Sequence, residues 1–226
     1  MIELRGAGVT APTGGRVLLQ PLNLTLVERR IALIGPNGSG KTTLLRLLNG
    51  LTLPSTGQVL VDGLDTTTEA AKVRRRVGFV FTDPLHQLVL STPLDDVELS
   101  LRGTVPNRAE RQRLARDWLA RYGLATVAEQ SIYDLSGGER QLAALVGVLA
   151  VEPDVLVCDE PTTLLDLGNR NRVTHVLATL PQQVIIATHD LDLAADFERV
   201  LLIDQGRVVA SGAPTAVIDS YRGSRR

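Results

Sequence analysis

Cysteine is almost missing from this chain of 226 residues: Cys158 is the only one. A lone thiol closes no internal disulfide, so the fold must rest on its core, and the composition fits a reducing compartment. An excess of charge of either sign is also missing, with Lys and Arg together 24, Asp and Glu together 25, and a net charge of −1. That balance gives no reason to expect a nucleic-acid partner. The two local arginine runs, Arg74 to Arg76 and Arg225–Arg226, read as a solvated face and a solvated tail. Long apolar runs are absent too. The longest, "LAALVGVLAV" at 142–151, is about half what a bilayer span requires. The opening "MIELRGAG" has no apolar signal core. The expectation is a soluble cytoplasmic protein that remains free to dock onto a membrane protein. What is present is ordinary globular material, 44% hydrophobic and 22% charged, in a length that buries one substantial core.

Along the chain, "VLLQPLNLTL" (17–26) alternates apolar and polar positions, as half-buried antiparallel strands do. "IALIG" (31–35), "VGFVF" (77–81), "VLVCDEP" (155–161) and "VIIATHD" (184–190) are short apolar runs that read as buried parallel strands. Helical patterns sit between them. One runs from about Lys41 to Gly50 on Leu44, Leu45, Leu47 and Leu48. The clearest amphipathic one is "PNRAERQRLARDWLARYGL", started by Pro106–Asn107 and stopped by Gly123. "RVLLIDQGRVVASG" closes as a hairpin around Asp204 to Gly206. Strands alternating with helices predict an α/β fold with a mostly parallel sheet covered on both faces. An antiparallel β subdomain precedes that core, and a helical subdomain at about 83–150 is inserted into it. The whole chain, 1–226, reads as one domain.

"GPNGSGKTT" comprises Gly35, Pro36, Asn37, Gly38, Ser39, Gly40, Lys41, Thr42 and Thr43. It matches G-x-x-x-x-G-K-[ST] in the strand-to-helix context that the match requires. Glycines let the backbone wrap phosphates, with N–H groups pointing inward at the positive end of the following helix. Lys41 would reach the β- and γ-phosphates of a nucleotide, and the Thr42 hydroxyl would bind Mg²⁺. The strand at 155–158 delivers Asp159 and Glu160 to the carboxyl edge of the sheet, where ligands bind in such folds. Asp159 suits the Mg²⁺ shell, and Glu160 is placed to polarise a water for attack on the γ-phosphate. A second strand delivers His189 to the same edge, for a contact to the γ-phosphate or the attacking water.

A further stretch, "LSGGERQ" (135–141), looks like another anion grip. Ser136, Gly137 and Gly138 expose N–H groups where a helix begins near Glu139. With these motifs in this order, the chain resembles the ATP-binding-cassette (ABC) ATPases from end to end, and "LSGGERQ" is that family's signature. "PTTLLDL" resembles its D-loop, with Asp166 as the aspartate. The resemblance implies that two cassettes meet head to tail. Ser136, Gly137, Gly138, Glu139 and Asp166 would then serve the ATP held by the partner's phosphate loop. It implies ATP and Mg²⁺ as ligands, a second cassette (identical or different) and integral-membrane transport proteins as partners. The chain would lie peripherally on the inner face of the membrane.

Two positions depart from the family pattern. The N-terminal hairpin "VTAPTGGRV" has no aromatic to stack on adenine. Ala11 falls at that place, which leaves adenine to apolar contacts with Ala11 and Val17. A Mg²⁺-sensing glutamine is replaced by Thr82, whose hydroxyl is shorter. The loop "FTDPLHQLV", with Gln87 and Asp96–Val97, resembles the cobalt-type and energy-coupling-factor cassettes that serve vitamin and metal-ion uptake. Biotin-type cassettes are the compact members of that group. Lys41 and Ser136 are 95 positions apart (136 − 41), which leaves no room for the coiled-coil arm of the DNA-repair ATPases with the same head. A regulatory ATP-dependent dimerisation switch is the alternative from another class; Glu160 and His189 weigh against it.

Overall fold

The structure is a computed structural model in which residues 1–223 are described, so the predicted tail pair Arg225–Arg226 lies outside the described residues. In chain order the strands are β1 (Ile2–Thr10), β2 (Val17–Leu26), β3 (Arg30–Ile34), β4 (Thr56–Val61), β5 (Leu64–Asp65), β6 (Val77–Val80), β7 (Val155–Asp159), β8 (Gln183–Ala187), β9 (Arg199–Asp204) and β10 (Arg207–Gly212). The α-helices are α1 (Lys41–Leu48), α2 (Ala70–Arg76), α3 (Pro93–Ser100), α4 (Arg108–Arg121), α5 (Gly137–Leu149), α6 (Leu167–Thr179), α7 (Leu191–Ala195) and α8 (Pro214–Gly223). They divide between two compact units. One comprises Met1–Val77, Asp154–Glu160 and Leu180 onward; the other comprises Gly78–Pro153 and Pro161–Thr179.

The first unit contains an antiparallel sheet in the order β2-β1-β4-β5. Every second residue of β2 is more deeply buried near its C-terminal end, as the alternation predicts. The parallel strands run in the order β9-β3-β8-β7, and β10 returns antiparallel on β9 through the predicted hairpin. All five residues of β3 and of β7 are buried. An apolar run without alternation is what a strand covered on both faces requires. Helix α1 buries Leu44, Leu45, Leu47 and Leu48 completely, each a gain of roughly 1.5–3 kcal/mol over exposure. Cys158 is fully buried within β7, and burial pushes its thiol well above the ordinary range, so it packs as a small apolar residue. The Arg74–Arg76 run ends α2 on an exposed face, where Arg76 meets Asp62 at 3.2 Å.

The second unit opens with β6 and holds α3 to α6. Asn107 caps α4 by accepting from Glu110 N, and Gly123, at φ 69°, follows its end, so both predicted boundaries fall where the sequence puts them. The helix buries Ala115 and Leu119, one turn apart, and leaves most of its arginines outside; Arg111 instead tucks in against Glu98 at 3.4 Å.

One glycine in the antiparallel sheet has no substitute. Gly57 has φ 67°, and a Cβ there would fall 2.2 Å from the Gly6 carbonyl oxygen and 2.3 Å from that of Arg5. The β1–β4 register shifts between Arg5 and Gly8 at this point, so the close approach is a bulge that brings the backbones together. Gly57→Ala should destabilise the chain by about 1–3 kcal/mol through overpacking and the left-handed backbone. Thermal denaturation followed by circular dichroism checks this, and superimposable melting curves would show that the bulge can re-pair.

Candidate nucleotide-binding site

Strand β3 ends at Ile34 and α1 begins at Lys41, so the phosphate-loop residues form the turn between them. Gly35, Gly38 and Gly40 have φ of 141°, 74° and 112°, values that an L side chain resists. Gly35 also lacks space, since a Cβ there would fall 2.0 Å from the Ile203 carbonyl oxygen. The turn is anchored to the β9–β10 hairpin by the Gly206 N–H, which donates to Ser39 O at 2.8 Å. Lys41 is 7% exposed. Its ammonium donates to the carbonyl oxygens of Gly35 at 2.8 Å and Pro36 at 3.1 Å. Burial lowers its pKa, and the charges of Glu160 and Asp159 oppose that shift. Gly40 caps α1 without a side-chain bond, so the first amides of the helix are left for an anion.

Thr42 opens toward the end of β7. Its hydroxyl lies 2.9 Å from Asp159 Oδ2 and 3.1 Å from Oδ1. A hydroxyl and a carboxylate side by side form a hard-oxygen pair. Among the described residues no three His, Cys, Asp or Glu groups gather as a metal site. The Thr42–Asp159 pair fits Mg²⁺, which takes one or two protein oxygens and completes its shell with water and phosphate.

The next residue, Glu160, departs from the strand with φ 51°. Such a backbone costs about 1–3 kcal/mol for a non-glycine residue and persists only where its surroundings impose it. Here the Glu160 N–H donates to Ala187 O at 2.9 Å. Its carboxylate oxygen Oε2 accepts from the His189 N–H at 3.2 Å and lies 2.8 Å from His189 Nδ1. With Glu160 ionised, Nδ1 carries the proton of that contact. The structure thus brings the phosphate loop, Thr42, Asp159, Glu160 and His189 together within the first unit. Ala11 and Val17 close the β1–β2 hairpin, where Ala11 N–H donates to Arg16 O at 2.8 Å and Val17 is 46% exposed.

The remaining predicted site residues lie in the second unit. Ser136 caps α5 in a full capping box: its hydroxyl accepts from Glu139 N–H at 3.3 Å, and Glu139 Oε2 accepts from Ser136 N–H at 2.8 Å. The Ser136 hydroxyl also lies 2.7 Å from Glu139 Oε2, a contact that, with the Ser136 amide, lowers the Glu139 pKa. The amides of Gly137 and Gly138, first in α5, are those a helix leaves without an internal acceptor. Asp166 stands at the start of α6 and accepts from Asn169 N–H at 3.0 Å and Asn169 Nδ2 at 2.6 Å. Thr82 follows β6 and is exposed. The amide of its neighbour Phe81 donates to Gln87 Oε1 at 3.3 Å, while Gln87 Nε2 donates to Ala144 O on α5 at 2.8 Å. Sequence reasoning missed Asn169, whose only signal is its three-residue spacing from Asp166.

The glycines of the phosphate loop should respond unequally to substitution. Gly35→Ala meets the backbone of β9, whereas a Cβ on Gly38 meets nothing within 4 Å. Gly38→Ala should therefore lose about 1 kcal/mol from its positive φ alone, and Gly35→Ala several times more, together with nucleotide binding. Titration with a fluorescent ATP analogue and a melting curve for each variant would separate the two. Equal effects would refute the clash with Ile203.

The comparisons agree with this geometry. A family model described as "ABC transporter" matches residues 19–163. A "Putative ABC transporter ATP-binding protein" of Deinococcus radiodurans is 49% identical, covering 98% of this chain and 97% of its own. The "Biotin transport ATP-binding protein BioM" of Rhizobium etli is 45% identical over 98% and 97% of the two chains. The "Energy-coupling factor transporter ATP-binding protein EcfA1" of Latilactobacillus sakei subsp. sakei is 35% identical over 96% and 80%. Among solved structures, the ATP-binding cassette MJ0796, in a dimeric post-hydrolysis state bound to ADP and Pi, superimposes with a TM-score of 0.86. It is 30% identical over 95% of this chain and 99% of its own. The predicted α/β P-loop architecture holds, and the chain belongs to the ABC transporter family as an ATP-binding, ATP-hydrolysing subunit.

Proposed function

We propose that this chain is the motor of an importer of the energy-coupling-factor type that takes up a vitamin such as biotin. The observation that carries the hydrolytic part is the Glu160–His189 pair beside Thr42 and Asp159 at one strand edge. Lys41 exchanges its two carbonyl partners for the β- and γ-phosphates, and the loop amides from Gly35 to Thr43 hold the remaining oxygens. Thr42 and Asp159 would hold Mg²⁺, which when bound would neutralise charge on the phosphates. Glu160 accepts a proton from the attacking water as it approaches the γ-phosphate. His189 keeps the carboxylate turned toward it.

The second grip serves a second cassette, identical to this chain or different. Ser136, Gly137, Gly138, Glu139 and Asp166 would face the γ-phosphate of the nucleotide bound by the partner. ATP then joins the two subunits, and hydrolysis removes the charge that held them, so nucleotide state sets open or closed. Among the described residues no helix is long and apolar enough to cross a membrane. In this reading integral-membrane partners carry the cargo and hold the chain at the inner face of the membrane. The biotin transport relative, 45% identical over 97% of its length, supports the cargo class, as does the loop around Gln87 and Asp96.

Glu160→Gln should leave ATP binding intact, lower hydrolysis by roughly 10²-fold or more, and trap an ATP-bound dimer. Near-normal turnover would remove Glu160 from this role. Ser136→Arg should block dimerisation in ATP, and its failure to do so would count against the trans contact. For cargo, cells expressing this chain with its membrane partners should accumulate radiolabelled biotin, and the Glu160→Gln form should not. Accumulation of a divalent metal ion instead would reassign the substrate.

A further inference from the structure

Gly138 lies within α5, and its backbone is not in the left-handed region, so the conformational freedom of glycine is not what the position uses. In a helix glycine is disfavoured relative to alanine. The reason for it lies in its own chain. A Cβ on Gly138 would fall 2.0 Å from Asn169 Cγ, 2.2 Å from Asn169 Oδ1 and 2.5 Å from Asn169 Cβ. The Asn169 side chain occupies that space, and its amide and backbone N–H groups donate to the two carboxylate oxygens of Asp166. Those bonds, the backbone one first, hold the Asp166 carboxyl below the usual carboxylate range. Three residues further along α6, Arg172 Nη2 donates to the carbonyl oxygens of Tyr122 at 2.6 Å and Gly123 at 3.1 Å, which fixes the start of α6 to the end of α4.

We infer that Asn169 is a positioning residue that locks the Gly138 amide and the Asp166 carboxylate into one rigid surface for reading the nucleotide bound by a second copy. The inference rests on the trans contact proposed above. Asn169 acts through its neighbours. It sets how closely the first turn of α5 approaches α6, and it holds the Asp166 carboxylate turned toward α6. A looser pair would present the amide and the carboxylate at variable separation, and ATP would join two subunits less tightly. The nucleotide held by the chain's own phosphate loop would be unaffected.

The test uses the full chain carrying Glu160→Gln, with ATP affinity of the monomer read by a fluorescent ATP analogue and dimerisation read by light scattering. Asn169→Ala should leave monomer affinity unchanged while raising the ATP concentration for half-maximal dimerisation about tenfold, as loss of one well-placed hydrogen bond would. Asn169→Asp keeps size and shape, so it removes no packing, but it sets a second carboxylate against Asp166. Its defect should be larger at about pH 8 and shrink toward about pH 6, because a shared proton restores a donor between the two groups. A purely structural role would move monomer affinity and melting with no such pH recovery. Dimerisation of both variants at the ATP concentration of the parent, while Ser136→Arg still blocks it, would overturn the positioning role alone. If Ser136→Arg also dimerised normally, the trans contact itself would fall.

Discussion

The parallel pairing of β7 with β8 is the constraint on which the hydrolytic site depends. Its register sets Asp159 opposite Ala187, and the next backbone bond, from Glu160 N–H to Ala187 O, forces Glu160 into its left-handed turn. Two residues beyond Ala187 the other strand delivers His189. The backbone N–H and ring nitrogen of that residue both meet the same Glu160 oxygen. A slip of one residue would turn each of these side chains to the other face of the sheet. The slip is prohibited by burial: β7 and the last four residues of β8 are buried, so the register is held by an apolar core. Strain at Glu160 is thus imposed by the same bonds that place its carboxylate, and the strained residue is one proposed to act on water.

The phosphate loop depends on a different neighbour. Gly35 passes so close to Ile203 that the loop is held by the backbone of β9, and Gly206 in the following turn bonds Ser39. The same glycine contacts β2, since its carbonyl oxygen accepts from Gln20 N–H at 2.7 Å. A hairpin far along the chain therefore shapes a loop near its start. Lys41 could be buried only because two loop carbonyls receive its charge, and the cost of removing an ammonium from water is offset locally.

Much of this was legible in the sequence. The buried parallel strands announced themselves by apolar runs without alternation, and the residues at their carboxyl ends were readable as soon as the strands were. The boundaries of α4 were marked by Asn107 and Gly123. What escaped was structure without periodicity. Strand β4 offers only "TGQVLV", and β5 has two residues. Neither is long enough for alternation to separate it from a turn. Helix α8 carries its apolar contacts on Val217 and Ile218 alone. Asn169 escaped for another reason: its importance is a contact with Gly138 from another helix, which no local pattern encodes. His189 was read as facing phosphate or water, and its contact with Glu160 at 2.8 Å, made across two strands, was not legible in either strand by itself.

Thr82 opens a segment of the second unit that is held by the side chains after it. The segment after it is stapled at successive points. Gln87 ties the Phe81 amide to Ala144 on α5, and Asp96 on α3 accepts from the amides of Val89 at 3.0 Å and Leu90 at 3.1 Å. Asp96 is buried, and burial raises its pKa against the pull of those two amides. These bonds lie between elements of one compact unit and tie both ends of the segment to its helices. The tie to α5 is made at Ala144, two turns into the helix that begins with Gly137 and Gly138. A glutamine at 82 would reach further than the exposed threonine, and the side-chain tie beside it is at Phe81, whose amide donates to Gln87.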